Sequence, residues 1–220
     1  MTASWFGSAI FARVPLPPNR RAEHHMVMPA LERRRWTAAE VRALPEEPGK
    51  LYEVIDGELF VSPGPSLPHQ FVIFELMTRL HAYVTRLHIG AIANGPAEIE
   101  PDPYTLVQPD IFVLPLVGGR KPLVWDESQH LLLAVEVLSP SSMRKDRVKK
   151  RALYQRMGVE YWIVDWEARL VERWQPTDSR PEILTDAVVW QPDSAHEPLS
   201  IDLGSLFADA FGEQGPDERA

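Results

Sequence analysis

The sequence contains no cysteine. Disulfide bonds and thiolate metal sites are therefore excluded, and a metal ion would have to be bound by carboxylate, carbonyl, water or imidazole ligands. Ligands of this kind favour a hard cation, Mg²⁺ in the first place and Mn²⁺ as the alternative ion.

Long hydrophobic runs are also missing. No segment approaches the roughly 18 consecutive apolar residues that a membrane-spanning helix requires. The N-terminus lacks the basic start and long apolar stretch of a secretory signal. We therefore expect a soluble cytoplasmic protein without a membrane partner. The formal net charge of −8 argues against non-specific coating of nucleic acid, but it leaves room for a local basic surface.

The length of 220 residues fits one domain with tails. Residues 1–35 combine several prolines with scattered charge and no clear periodicity, which predicts a flexible N-terminal leader. We expect the folded domain over residues 36–207 and a polar C-terminal tail over residues 208–220.

An apolar run at residues 131–138 is interrupted only by Glu136 and predicts a buried strand. A carboxylate inside such a strand needs a partner. The basic helix predicted over about 143–157 offers one, because helical spacing places Lys150 on the same apolar face as Leu153 and Met157. Such a pair indicates either a functional site or a structural ion pair, and these residues alone leave both interpretations open.

Upstream, Thr37 to Glu40 form a capping-box pattern that predicts a short helix. Asp56-Gly57 predicts a tight hairpin turn within residues 51–61, with Glu53 on its first arm. A longer helix is expected from His69 to about residue 88, and strands are expected near 92–99 and 108–114. Taken alone, Glu53 is typical of a solvent-facing hairpin residue, and His69 of a structural or capping histidine.

The start of the basic helix concentrates positive charge. A solvated helix face is the ordinary explanation for such a cluster, and contact with a nucleic-acid backbone is the functional one. The candidate nucleic-acid-binding residues are Arg144, Lys145, Arg147, Lys149 and Arg151.

The order and spacing of several short motifs resemble the Uma-two family, whose members are assigned as restriction endonucleases of the PD-(D/E)XK nuclease superfamily. The resemblance covers about residues 36–207. It implies an α/β (α+β) fold, with a restriction-endonuclease-like mixed central sheet flanked by helices and the active site at one sheet edge. The motifs are YEVIDGEL, QPDIFVL, AVEVLSPSS, DRVKKRALY and EYWIVD.

By this resemblance, Asp110 is the aspartate of the Pro-Asp motif and Glu136 the acid of the (D/E)XK motif. Together with the backbone carbonyl of Val137 they would hold the divalent metal. The sequence departs from the superfamily pattern at Leu138, where the catalytic lysine is expected. The family match moves that lysine onto the following helix, at Lys150.

The family's recurring polar positions also fall on Glu53 and His69, as further catalytic candidates. The resemblance thus predicts a Mg²⁺-dependent endonuclease that hydrolyses phosphodiester bonds in DNA. We expect a homodimer, because cutting both strands of a duplex calls for two sites. The alternative is a nuclease-like scaffold that no longer cuts and binds nucleic acid or protein. A serine hydrolase is disfavoured, since no G-x-S-x-G elbow surrounds the serines at 139–142.

Overall fold

The computed structural model of the chain describes residues 34–125 and 130–213. The predicted leader lies outside these residues except for its last two positions, and residues 214–220 of the predicted tail also lie outside them. No helix within the described ranges is long and apolar enough to cross a membrane.

The centre of the fold is a six-stranded mixed sheet with strand order β10-β9-β8-β7-β6-β3. Its strands run antiparallel except for β7 and β8, which are parallel. A four-stranded sheet has the order β2-β1-β5-β4, and β11 pairs with β12. The strands are β1 (Lys50–Ile55), β2 (Glu58–Pro63), β3 (Gly90–Asn94), β4 (Ile99–Asp102), β5 (Thr105–Val107), β6 (Ile111–Pro115), β7 (Leu133–Val137), β8 (Glu160–Asp165), β9 (Leu170–Trp174), β10 (Glu182–Leu184), β11 (Ala187–Trp190) and β12 (Leu199–Asp202).

In the described part of the chain, four α-helices and one π-helix accompany the sheets. Helix α1 begins with the predicted capping box, because Thr37 and Glu40 exchange side-chain and backbone hydrogen bonds. The last helix continues beyond residue 207, where we expected the polar tail to begin, and its Ala210 is buried. The helices are α1 (Ala38–Arg42), α2 (Leu67–Leu87), the π-helix (Lys145–Lys150), α3 (Arg151–Arg156) and α4 (Leu203–Phe211).

The β1–β2 hairpin confirms its predicted turn. Asp56 and Gly57 both have positive φ, 53° and 83°, as a two-residue hairpin turn of this twist requires. The predicted strand over 92–99 is wrong, since β3 ends at Asn94 and Ile99 begins β4 in the other sheet. Pro96 lacks a backbone N–H for the ladder, and Gly95-Pro96 is a turn signal that separates the two strands.

The basic segment is also wound differently from the prediction. Residues 145–150 form a π-helix, and the α-helix follows only from Arg151. Hydrogen bonds of a π-helix join residues five apart, so Lys145 and Lys150 lie about one turn from each other.

Both faces of the six-stranded sheet are covered. Val135 and Val137 of β7 pack with α2 and α4 residues in one core cluster. Ala134 and Leu138 belong to a second cluster with Leu153 of α3. Because side chains alternate along a strand, Glu136 points to this second side, toward the π-helix.

Candidate active site

Glu136 lies near the C-terminal end of β7 and is 4% exposed. Lys150, which is 1% exposed, approaches it from the π-helix with its Nζ 2.7 Å from Glu136 Oε1. The same Nζ lies 2.8 Å from Oε1 of Glu53 on β1. The predicted partner of the strand carboxylate is therefore Lys150, and a second glutamate shares it. Leu138 faces the same side but is buried in the apolar cluster.

Glu53 is held from three directions. Its Oε1 accepts a hydrogen bond from Gln108 N at 2.8 Å, and its Oε2 is paired with the Lys145 ammonium. Burial alone would raise the pKa of Glu53, but the charges of Lys150 and Lys145 and the Gln108 N–H lower it to about 2. Both oxygens of Glu53 are engaged, so this residue fits a role in holding the two ammonium groups.

Asp110 precedes β6 and faces His69 in the first turn of α2. Its Oδ2 accepts a hydrogen bond from Val137 N at 2.8 Å and lies 3.1 Å from His69 Nε2. Burial favours the neutral imidazole, but the hydrogen bond and the charge of Asp110 outweigh it and raise the pKa of His69 above 6.5. His69, which could equally have been a capping residue, is thus connected to the strand that carries Glu136.

Carboxyl groups outnumber ammonium groups around Glu136. Burial raises the pKa of Glu136 well above 4.5, and the charges of Asp110, Asp146 and Glu53 raise it further against the attraction of Lys150. Sequence reasoning gave Asp146 no role, although helical spacing places it one turn before Lys150. It is 1% exposed, and neither carboxylate oxygen has a hydrogen-bond partner among the described residues.

Apart from Asp146, these side chains meet at one cleft of about 370 Å³ that opens to solvent. All five predicted catalytic residues line it, as does Val137. It is also lined by residues 62–66, at the end of β2 and in the loop that follows, and by the loop at residues 139–142. The geometry therefore places groups from both sheets, α2 and the π-helix around one space.

The candidate nucleic-acid-binding residues do not form one basic face. Lys145 lies inside the cleft, whereas Arg147 pairs with Glu172 and Asp165. Lys149 pairs with Glu58 of the hairpin. The guanidinium group of Arg151 stacks over the indole ring of Trp174, and Arg144 is exposed. Their contact with nucleic acid stays a prediction, made for individual side chains and not for a continuous surface.

The donor set at the cleft can be compared with the needs of a hard cation. Within residues 34–125 and 130–213, no group of three or more His, Asp or Glu side chains is placed to hold a metal ion. Asp110 and Glu136 each use one oxygen in the contacts above, and the second oxygen of each has no partner among the described residues. Mg²⁺ is commonly bound by one or two carboxylates plus water and substrate phosphates. The free oxygens of Asp110 and Glu136 suit such an ion, and the local excess of carboxyl groups favours a cation.

Comparisons with known proteins agree with this architecture. The solved structure of a protein titled a putative nuclease belonging to DUF820, from Anabaena variabilis ATCC 29413, superimposes with a TM-score of 0.63 at 18% sequence identity. The match covers 80% of this chain and 99% of that one and supports a restriction-endonuclease-like fold. No curated protein sequence matches the chain. The model of the Uma2 family, described as "Putative restriction endonuclease", matches residues 38–204. The chain belongs to this Uma2 family of restriction-endonuclease-like nucleases.

Proposed function

We propose that the protein is a Mg²⁺-dependent endonuclease that hydrolyses phosphodiester bonds in DNA, with Mn²⁺ as an alternative ion. The observation that carries this proposal is the convergence of Asp110, Glu136 and Lys150 on one cleft open to solvent. With a divalent ion held by the two carboxylates, the ion and the ammonium group would offset the charge of a phosphodiester and orient a water beside it.

Asp110, Glu136 and the Val137 carbonyl are the groups that would hold the ion. When bound, Mg²⁺ polarises the scissile phosphate and lowers the pKa of a water molecule. Burial of Glu136 among other carboxyl groups supports this assignment, because a divalent charge would favour its ionised form.

Lys150 supplies the positive charge that the superfamily pattern expects two residues after the acid. Burial alone would lower its pKa, but Glu136 and Glu53 raise it well above 10.5, so the side chain stays an ammonium. Held between two glutamates, this ammonium can stabilise negative charge developing on the phosphate or orient the attacking water. Glu53 acts as its positioning residue.

His69 and Asp110 form the opposite side of the cleft. The raised pKa of His69 favours the imidazolium, whose Nε2–H donates to Asp110 Oδ2 and fixes that carboxylate. Because Nδ1 is buried, a contact with a phosphate or the return of a proton to the leaving oxygen would use the Nε2–H in exchange for its bond to Asp110. A homodimer would bring two such clefts to the two strands of a duplex.

The test uses Asp110→Asn and Glu136→Gln, which keep the size of the side chains. In each variant we expect the rate of magnesium-dependent cleavage of plasmid DNA to fall by at least about 100-fold. Asp186→Asn, on an exposed carboxylate outside the cleft, is the matched control and should cut like the unmodified protein. Undiminished cleavage by either cleft variant would refute the mechanism.

Calorimetry with Mn²⁺ separates the nuclease from a scaffold that no longer cuts. We expect binding that disappears in Asp110→Asn and Glu136→Gln but persists in Asp186→Asn. A chain that binds no divalent ion and cuts no DNA would be the scaffold, for which the close confinement of Lys150 between Glu53 and Glu136 is the structural argument.

A further inference from the structure

A second, smaller cavity of about 130 Å³ lies next to the active-site cleft. The two spaces share four lining residues, Leu51, Pro65, Gln108 and Asp110. A group that enters this side cavity therefore lies directly beside the carboxylate that is proposed to hold the ion.

The polar lining of the side cavity consists mainly of carboxamides. Gln70 comes from the first turn of α2, Asn94 from the end of β3, and Gln108 from the segment before Asp110. No Lys or Arg is among its described lining residues, and Asp110 supplies the charge at the shared border. A phosphate would find no counter-charge here, so the lining suits an uncharged group with hydrogen-bond donors and acceptors.

Gln108 carries an unsatisfied polar atom. Its backbone N–H is used by Glu53, whereas its side-chain Oε1 is buried without a hydrogen-bond partner among the described residues. A buried acceptor of this kind is costly unless something donates to it. A rotation of the carboxamide would turn this oxygen toward the cavity, where a ligand with an N–H donor would satisfy it. Ile73 and Pro96 offer apolar surface for the rest of such a ligand.

The geometry points to a nucleobase-binding pocket for an unpaired nucleotide next to the scissile phosphate. Carboxamides are the side chains that pair with base edges through a donor and an acceptor at once. A paired and stacked base exposes only its groove edges and cannot be enclosed in a side cavity, so the base must come from a single strand or leave the stack to enter. This inference rests on the proposed function for the position of the phosphate, and it deepens that function by naming the substrate as a strand with an accessible base.

The experiment measures binding by fluorescence anisotropy in EDTA, so that no cleavage occurs. The probes are a short mixed-sequence single strand of DNA and a strand of equal length built from abasic deoxyribose phosphates, which carries the same charge. We expect the strand with bases to bind about 5- to 150-fold more tightly, the range that one bidentate pair between a carboxamide and a base contributes. The same sequence as a duplex should bind more weakly than the single strand.

Gln108→Met keeps the length of the side chain and removes its hydrogen-bonding groups, so it should reduce the preference for bases. Gln191→Met, on an exposed glutamine outside both cavities, is the matched control and should retain the preference. Gln70→Met lies on the exposed surface of α2 and provides a second test if Gln108→Met does not fold. An unchanged preference in whichever of these two cavity variants folds would overturn the pocket.

Cleavage assays with Mg²⁺ distinguish this inference from the proposed function. Binding that depends on bases and on Gln108, without cleavage of any strand, would refute the nuclease and leave the pocket standing. Magnesium-dependent cleavage, together with equal binding of the strand that carries bases and the abasic strand, would refute the pocket alone.

Discussion

Lys149 and Lys150 are neighbours in sequence and occupy opposite environments. Lys150 is 1% exposed and lies between Glu53 and Glu136. The side chain of Lys149 is 40% exposed, and its partner Glu58 is 51% exposed. Ion pairs in water are worth little, whereas removing one partner of a buried pair leaves a charge without compensation. The same helix therefore carries a lysine on which the site depends and a lysine that the fold can lose.

The largest expected effect comes from Lys150→Met. We expect the free energy of unfolding to fall by about 3–5 kcal/mol, because Glu53 and Glu136 lose their shared ammonium. DNA cleavage should also be lost. Lys149→Met is the control and should change the stability by less than about 1 kcal/mol. Urea denaturation followed by circular dichroism measures both. Similar stability losses in the two variants would contradict the comparison.

The two glutamates that share Lys150 should respond oppositely to pH. The pKa of Glu53 is lowered to about 2, so Glu53 contributes stability above pH 4.5 that disappears as the pH falls toward 2. Glu53→Gln should therefore cost about 3 kcal/mol at neutral pH, and less in acid.

The pKa of Glu136 is raised, so the fold without divalent ions loses stability as the pH rises above 4.5. Relative to the unmodified protein, Glu136→Gln should become more stable as the pH rises from 4.5. Denaturation curves recorded in EDTA across this range provide the measurement. If the free energies of unfolding of Glu53→Gln and Glu136→Gln depended on pH in the same way, the two carboxyl groups would be equivalent. That result would contradict the structure.

The smallest expected effect concerns the exposed arginines. Arg144 has no ion-pair partner among the described residues and lies near the cleft rim, whereas Arg169 pairs with Glu213 far along the chain. In Arg144→Ala, the plot of the logarithm of the DNA association constant against the logarithm of the salt concentration should be less steep by about 1, since one phosphate contact is lost. Arg169→Ala should leave this slope unchanged. Equal slopes in the unmodified protein and Arg144→Ala would exclude Arg144 from the interface.

Much of the local structure was predictable, because its signals lie within a few residues. The capping box at Thr37, the Asp56-Gly57 turn and the buried strand around Glu136 are confirmed. The winding of residues 145–150 was not predictable, since an α-helical period and a π-helix differ little over six residues. The consequence is local but important, because the π-helix turns Lys145 into the cleft, where it pairs with Glu53.

The residues of the candidate site were easier to predict than the contacts between them. The sequence and the family resemblance named Asp110, Glu136 and Lys150, and all three line one cleft. The engagement of both oxygens of Glu53 and the unpartnered Oε1 of Gln108 could not be foreseen. The pairs Lys145–Glu53 and Gln108–Glu53 are separated by 92 and 55 positions in the sequence. A local sequence pattern cannot indicate contacts over such separations.

The sequence by itself determined most of the element types, the burial of the strand around Glu136 and the excess of carboxyl groups, because periodicity and composition act along the chain. Only the tertiary structure decided which carboxylates share Lys150, which oxygens stay free and where the carboxamide cavity opens. Those properties depend on how β1, β7, α2 and the π-helix pack against one another. Packing brings together side chains whose charges and hydrogen bonds then set each other's pKa values.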